Sequence, residues 1–240
     1  MAHTLVKVAD AARALCSAGK PVLVSDTCAL LDLIRVPIRI DNATRVSAIL
    51  EGASKILSLA KTTPPSLFIA IPPLVPDEWR QHHNDVFSEV ERHLSKLDSM
   101  IGVVVATGIS LGINISAILF SNLGMSDRLK NLSGELLYSG MWFDSEDEVK
   151  QRAIDRAVSY TAPATKGAIK DCIIYEHTLE LFTQLRSNSL TEKCVFITSN
   201  TNDFCEKGSS IPREPIKSEL DNISVTLTIN WEWALHELGF

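Results

Sequence analysis

The chain has 240 residues, 45% apolar and 22% charged, with a formal net charge of −6. That is length enough for one domain with a full hydrophobic core, at a composition ordinary for a soluble globular protein. The acidic balance excludes a protein that coats nucleic acid by bulk positive charge, but not one with a local basic strip beside an acidic, cation-filled centre.

Residues 1–19 read as an amphipathic helix, with Leu5, Val8, Ala12 and Leu15 on one face and Gly19 placed to end it, rather than as a secretory leader. A Val-rich strand is predicted at 21–25. Residues 41–63 read as a helix capped by Asp41 or Asn42, with Val46, Ile49, Leu50, Ile56, Leu57 and Leu59 inside. SLFIAIP, 66–72, reads as a second buried strand closed by Pro72, Pro73 and Pro76, the last suited to a first helical turn.

From there to about residue 165 the pattern is almost wholly helical. It is read as a helical insertion over 80–165, whose last helix opens with Ser145 and Glu148 in capping-box spacing. Inside it the uncharged run 101–120 is long enough to cross a bilayer. Gly102, Gly108, Gly112, Asn114 and Ser116 interrupt that run, so a buried helix and no membrane span is expected.

Residues 166–188 read as a helix with Ile169, Cys172, Ile173, Leu179 and Phe182 on its apolar side. KCVFITS, 193–199, is a third predicted strand, and NISVTLTI, 222–229, a fourth, with Val225, Leu227 and Ile229 alternating against polar residues. NWEWALHELGF finishes as a helix. Short apolar strands alternating with helices predict an α/β fold, one domain over 1–240 with a mostly parallel sheet. Five scattered cysteines without a CxxC pair predict reduced thiols and a cytoplasmic protein.

In such sheets ligands collect at the carboxyl ends of the strands. The first strand ends in Asp26, the second leads into Asp77 and Glu78, and the third into Asn200 and Asp203. The helix before the third strand carries Asp171 near its start. Singly, each has an ordinary role as a helix cap, a first-turn acid or a turn residue. Jointly the acids among them form a set of carboxylates that repel one another unless a hard cation such as Mg²⁺ or Mn²⁺ joins them.

Four segments, VLVSDTCALLDL, IPPLVPDEWRQH, KDCIIYEH and VFITSNTNDF, resemble in order the signature segments of PIN-domain nucleases, most closely a larger, helix-rich bacterial branch. The likeness covers roughly residues 20–80 and 165–230. It implies a PIN-like three-layer α/β/α sandwich and a metal-dependent endoribonuclease, with Asp26, Glu78 and Asp171 as metal-coordinating catalytic acids. The fourth segment departs from the family pattern: Asn200 stands two residues after Thr198 where an acid is usual. Asp203 is the candidate substitute, and Asn200 a neutral ligand.

The resemblance further implies Mg²⁺ or Mn²⁺ as cofactor, and single-stranded or structured RNA as substrate, cut to a 5′-phosphate and a 3′-hydroxyl. A homodimer, an inhibitory protein partner and a toxin or defence role are in keeping with it. Thr27 and Ser25 are candidates to orient a water or hold a carboxylate, and Thr198 to support the last strand. Lys150, Arg152, Arg156, Lys166 and Lys170 form a candidate strip for phosphates. Glu176 is kept as a supporting group behind Asp171. His82 and His83 are read as surface residues, Cys28 as no nucleophile, and Trp231 and Trp233 as core packing. The rival reading is a PIN-like scaffold that binds RNA or protein without catalysis, favoured by Asn200. An aspartate phosphatase is disfavoured because position 28 is Cys.

Overall fold

A computed structural model describes residues 5–144, 146–164 and 168–240. Among them six strands form one wholly parallel sheet: β1 (Val6–Lys7), β2 (Val22–Ser25), β3 (Phe68–Ile71), β4 (Met141–Asp144), β5 (Cys194–Ile197) and β6 (Thr226–Thr228), in the order β1-β4-β3-β2-β5-β6. At the centre Leu23 stands opposite Ile69 on one side and Val195 on the other. Ten α-helices accompany the strands among the described residues: α1 (Val8–Ala18), α2 (Thr27–Arg39), α3 (Ala43–Ala60), α4 (Val75–Ser110), α5 (Met125–Ser139), α6 (Asp147–Val158), α7 (Ile169–Ser187), α8 (Thr201–Phe204), α9 (Ile216–Asn222) and α10 (Trp231–Glu237).

Crossover handedness explains the layers. From β2 to β3 to β4 the chain steps one way across the sheet, and from β1 to β2, β4 to β5 and β5 to β6 it steps the other. Right-handed crossovers put helices of opposite steps on opposite faces. The packing agrees, since α2 lies on α4 and α5, whereas α7 lies on α1 and α6. The product is a three-layer α/β/α sandwich. The connections leaving β2 and β5, which are neighbours, diverge to opposite faces and open a crevice at their carboxyl ends.

Four sequence expectations are corrected. Residues 1–19 are not one helix: α1 starts at Val8, Leu5 is exposed, and Val6–Lys7 pair with β4. Residues 1–4 lie outside the described residues. The stretch 80–165 is not wholly helical, because β4 lies within it and pairs with β3. Gly140, just before β4, marks that approach: a Cβ there would lie 2.6 Å from Ile71 Cγ1.

The run 101–120 is no buried helix. α4 ends at Ser110 and the chain doubles back along it, with Ile115 filling the space at Gly108 and Asp98 accepting from the amides of Phe120 (2.6 Å) and Ser121 (3.0 Å). Val104 and Leu111 are 61% and 71% exposed. Among the described residues no helix is long and apolar enough to cross a membrane.

Finally, α7 buries Cys172, Ile174, Tyr175, Leu181, Phe182 and Leu185, while Ile169 is exposed and Ile173 and Leu179 half-buried. Covered by α1 and by α6, this helix shows no single apolar stripe. Ser145, the expected cap of α6, lies outside the described residues, and Glu146 holds the N-cap position without a side-chain bond.

Candidate functional site

Asp26 stands at the crevice, directly after β2 and at the N-cap of α2. The strand pairing fixes it: its amide donates to the Ile197 carbonyl of β5 at 3.0 Å, and Thr198 Oγ1 donates to its Oδ2 at 2.7 Å. The side chain is almost wholly buried. Burial pushes its pKa up to about 6 and the nearby Glu78 charge adds to this, against the Thr198 hydrogen bond and the amides of Thr27 and Cys28. No full cap hydrogen bond forms at this helix end.

Glu78 arrives on the first turn of α4 after Leu74, whose φ of 73° is strained for a branched side chain. Its Oε2 accepts from Thr27 Oγ1 at 2.9 Å, and its Oε1 is 3.2 Å from Lys170 Nζ. Asp171 opens α7. Its pKa is raised to about 7 by burial, then by the charges of Asp26, Asp203 and Glu78, with Lys170 opposing. Asn200 follows β5, and its Nδ2 faces both Asp171 Oδ2 (3.4 Å) and Asp203 Oδ2 (3.0 Å). Its amide donates to Thr198 Oγ1 at 3.1 Å.

Asp26, Glu78, Asp171, Asn200 and Asp203, from four separated segments, thus share one neighbourhood with Thr27 and Thr198 bonded into it. Ser25 differs from expectation: its hydroxyl donates to the Asp26 carbonyl at 3.2 Å and is taken up in the backbone. Asp77 points away, paired with Arg80 at 2.9 Å.

The basic strip is largely corrected. Arg156 is buried, donating to Glu176, the Ala162 carbonyl and Glu219, each at 2.6 Å. Arg152 holds Glu176 at 3.1 Å and Glu180 at 2.6 Å. Both guanidinium groups are committed to carboxylates, and Glu176 accepts from both of them, so its carboxylate is spent there and not on supporting Asp171. Lys150 neighbours Asp144 and Asp147, and Lys166 lies outside the described residues. Lys170 alone of the described strip faces the acids.

His82 is exposed and His83 stacks on Trp79 at 4.2 Å. Cys28 has its thiol pKa raised, by burial and then by Asp26, so it is an unreactive thiol. Trp231 is core, its Nε1 donating to the Ala29 carbonyl at 3.1 Å, but Trp233 is 46% exposed. One acid was overlooked. Asp144 ends β4 on the same edge of the sheet, 3.3 Å from Nε2 of the buried His177. Its signal is that of Asp26, a carboxylate closing an apolar run.

The donor chemistry of the crevice suits a hard divalent ion: oxygen ligands only, with two carboxyl groups whose ionisation burial and neighbouring charges oppose. Among the described residues, no three His, Cys, Asp or Glu side chains stand in a ready-made metal-ligand arrangement. No family model matches the chain, and neither the curated proteins nor the solved structures hold a match to it.

Proposed function

We propose that the chain is a metal-dependent phosphodiester hydrolase of PIN type, an endoribonuclease. The observation that carries this reading is the meeting of Asp26, Glu78, Asp171 and Asp203 at the sheet's switch point, where burial and one another's charges hold up the pKa of Asp26 and Asp171. Asp26, Glu78, Asp171 and Asp203 would hold Mg²⁺ or Mn²⁺, with Asn200 as a neutral donor. Such an ion supplies Lewis acidity and a water of lowered pKa.

The chain's own residues do the positioning. Thr198 fixes the Asp26 carboxylate, Thr27 fixes Glu78, and the Asn200 carboxamide keeps Asp171 and Asp203 apart while bonding both. Lys170, beside Glu78 and more than half exposed, is a cation available to an incoming phosphate. The test is cleavage of labelled RNA by the purified chain with Mn²⁺, with chelator, and with Asp26→Asn. Cleavage lost with chelator and in the variant is expected; cleavage that survives both overturns the proposal.

A second reading, a PIN-like scaffold that binds RNA or a protein partner without catalysis, is favoured by Asn200 and by the lack of a ready-made ligand arrangement among the described residues. Wild-type protein that binds RNA but cuts only as Asn200→Asp would establish it.

A further inference from the structure

Behind the acids lies a cavity of about 180 Å³ between α2, α3 and the start of α10. Leu33, Val36, Ile49 and Trp231 give it an apolar wall, and the hydrogen bond from Trp231 to the Ala29 carbonyl fixes the indole. It shares two pieces of chain with the acid site. Ser199 lines it while the next residue, Asn200, faces Asp171, and Ala29 lines it one helical turn after Asp26.

Its polar groups are unevenly satisfied. The Ser199 hydroxyl is buried without a hydrogen-bond partner. Asp32 is neutralised by Arg39 at 2.6 Å, with Arg35 at 3.5 Å. The Arg45 guanidinium has no carboxylate or carbonyl partner among the described residues and is exposed at the mouth. The rim therefore keeps a spare positive charge beside an apolar slot, with one unmatched hydroxyl enclosed in its wall.

We propose that this slot takes a single nucleobase, with a phosphate of the same strand on Arg45, so that the enzyme selects the base beside the bond it cuts. The inference rests on the hydrolase reading for the placement of that strand. Three features name the ligand. The cavity is below the roughly 300–1,000 Å³ of drug-sized sites, which suits one flat ring system. Rotation of the Ser199 side chain would turn its unpaired hydroxyl from the wall to a base edge, and single-stranded RNA is read through splayed bases. A cation at an apolar mouth suits the phosphate attached to that base.

The experiment is a ¹⁵N–¹H titration of the full chain in chelator with each of the four ribonucleoside 5′-monophosphates and with ribose 5-phosphate. Assignment of the Trp231 indole Nε1–H gives a local reporter. A saturable shift with at least one nucleotide and none with ribose 5-phosphate is expected, weakened about fivefold or more in Arg45→Glu. Ile229→Phe, which fills the slot from its half-buried wall, is expected to abolish the shift. No saturable shift at millimolar nucleotide overturns the inference, and so does an equal response to ribose 5-phosphate, which would mark an anion site only. Because no metal is present, the outcomes separate: RNA cleavage without nucleotide binding ends this inference alone. Nucleotide binding without metal-dependent cleavage ends the hydrolase reading instead.

Discussion

Two groups of charges adjoin α7, and they are built on opposite terms. Around Arg156 every charge has an answer: Glu176, Glu219 and the Ala162 carbonyl take its donors, Tyr175 lies beneath the guanidinium at 4.9 Å, and the Tyr175 hydroxyl donates to Glu219 at 2.8 Å. Around Asp171, the charges of Asp26, Asp203 and Glu78 add to the effect of burial, and Lys170 is the cation that opposes them among the described residues. Desolvation opposes charge in both places; around Arg156 direct pairing offsets the cost, whereas Asp26 and Asp171 keep raised pKa values. Charges held for architecture are paired; in the crevice Asp26 and Asp171 are opposed by burial and by neighbouring carboxylates, a balance that an added cation would relieve.

Neutralising substitutions should therefore have opposite signs in the two clusters. Arg156→Met leaves Glu176 buried with one remaining cation and Glu219 with none among the described residues, so it is expected to cost about 3–5 kcal/mol in urea denaturation. A cost under about 1 kcal/mol would break the comparison. In the crevice, Asp26→Asn keeps an oxygen for the Thr198 hydroxyl while removing the opposed charge. It is expected to stabilise the metal-free chain at pH 7 by about 3 kcal/mol. A destabilised variant at that pH would show that Asp26 is paired after all.

The pH dependence sharpens that difference. An unfolded Asp titrates near 3.9, whereas Asp26 in the fold titrates at about 6 and Asp171 at about 7. The native state holds these two protons more tightly than the unfolded state. Their contribution to stability is whole below about pH 4 and is lost as pH rises through 6 for Asp26 and 7 for Asp171. The Asp26→Asn advantage should accordingly be near zero at pH 4 and grow by about 1.4 kcal/mol per pH unit up to about pH 6. Stability curves in chelator at several pH values check this; an advantage largest at pH 4 has the wrong sign and defeats it.

How far the sequence revealed this depended on distance along the chain. β2 and β5 were legible because their apolar runs end in polar groups at the crevice, and VLVSD and VFITSN read as strands leaving the core. MWFD carries the same signal, but it lies among helices whose periodicity runs on either side, and a four-residue strand is too short to interrupt that pattern. The acids of the site were legible one by one, and their convergence followed from parallel strands sharing one carboxyl edge. The fate of Arg152 and Arg156 was not. Their partners Glu176, Glu180 and Glu219 are 20 to 63 residues away, and no local spacing tells a phosphate-binding arginine from one already spent on a buried carboxylate. The cavity beside Ser199 was equally hidden, since its walls come from four segments.

The smallest expected effect concerns the neutral member of the crevice. Asn200 offers its NH₂ to Asp171 and Asp203, so it acts as a spacer between two carboxylates that repel. Asn200→Asp exchanges that donor for a third acceptor. In chelator at pH 8 both hydrogen bonds are lost and a like charge is added, for an expected cost of about 1–2 kcal/mol. At pH 4 a protonated acid can still donate one bond, so the deficit should shrink. With Mn²⁺ the order should reverse, because an added carboxylate strengthens a hard-cation site, and the variant should bind Mn²⁺ about tenfold more tightly by calorimetry. A variant as stable as wild type at pH 8, with unchanged Mn²⁺ affinity, would mean that Asn200 separates no opposed charges. The contrast between the two clusters would then fail at the neutral member of the crevice.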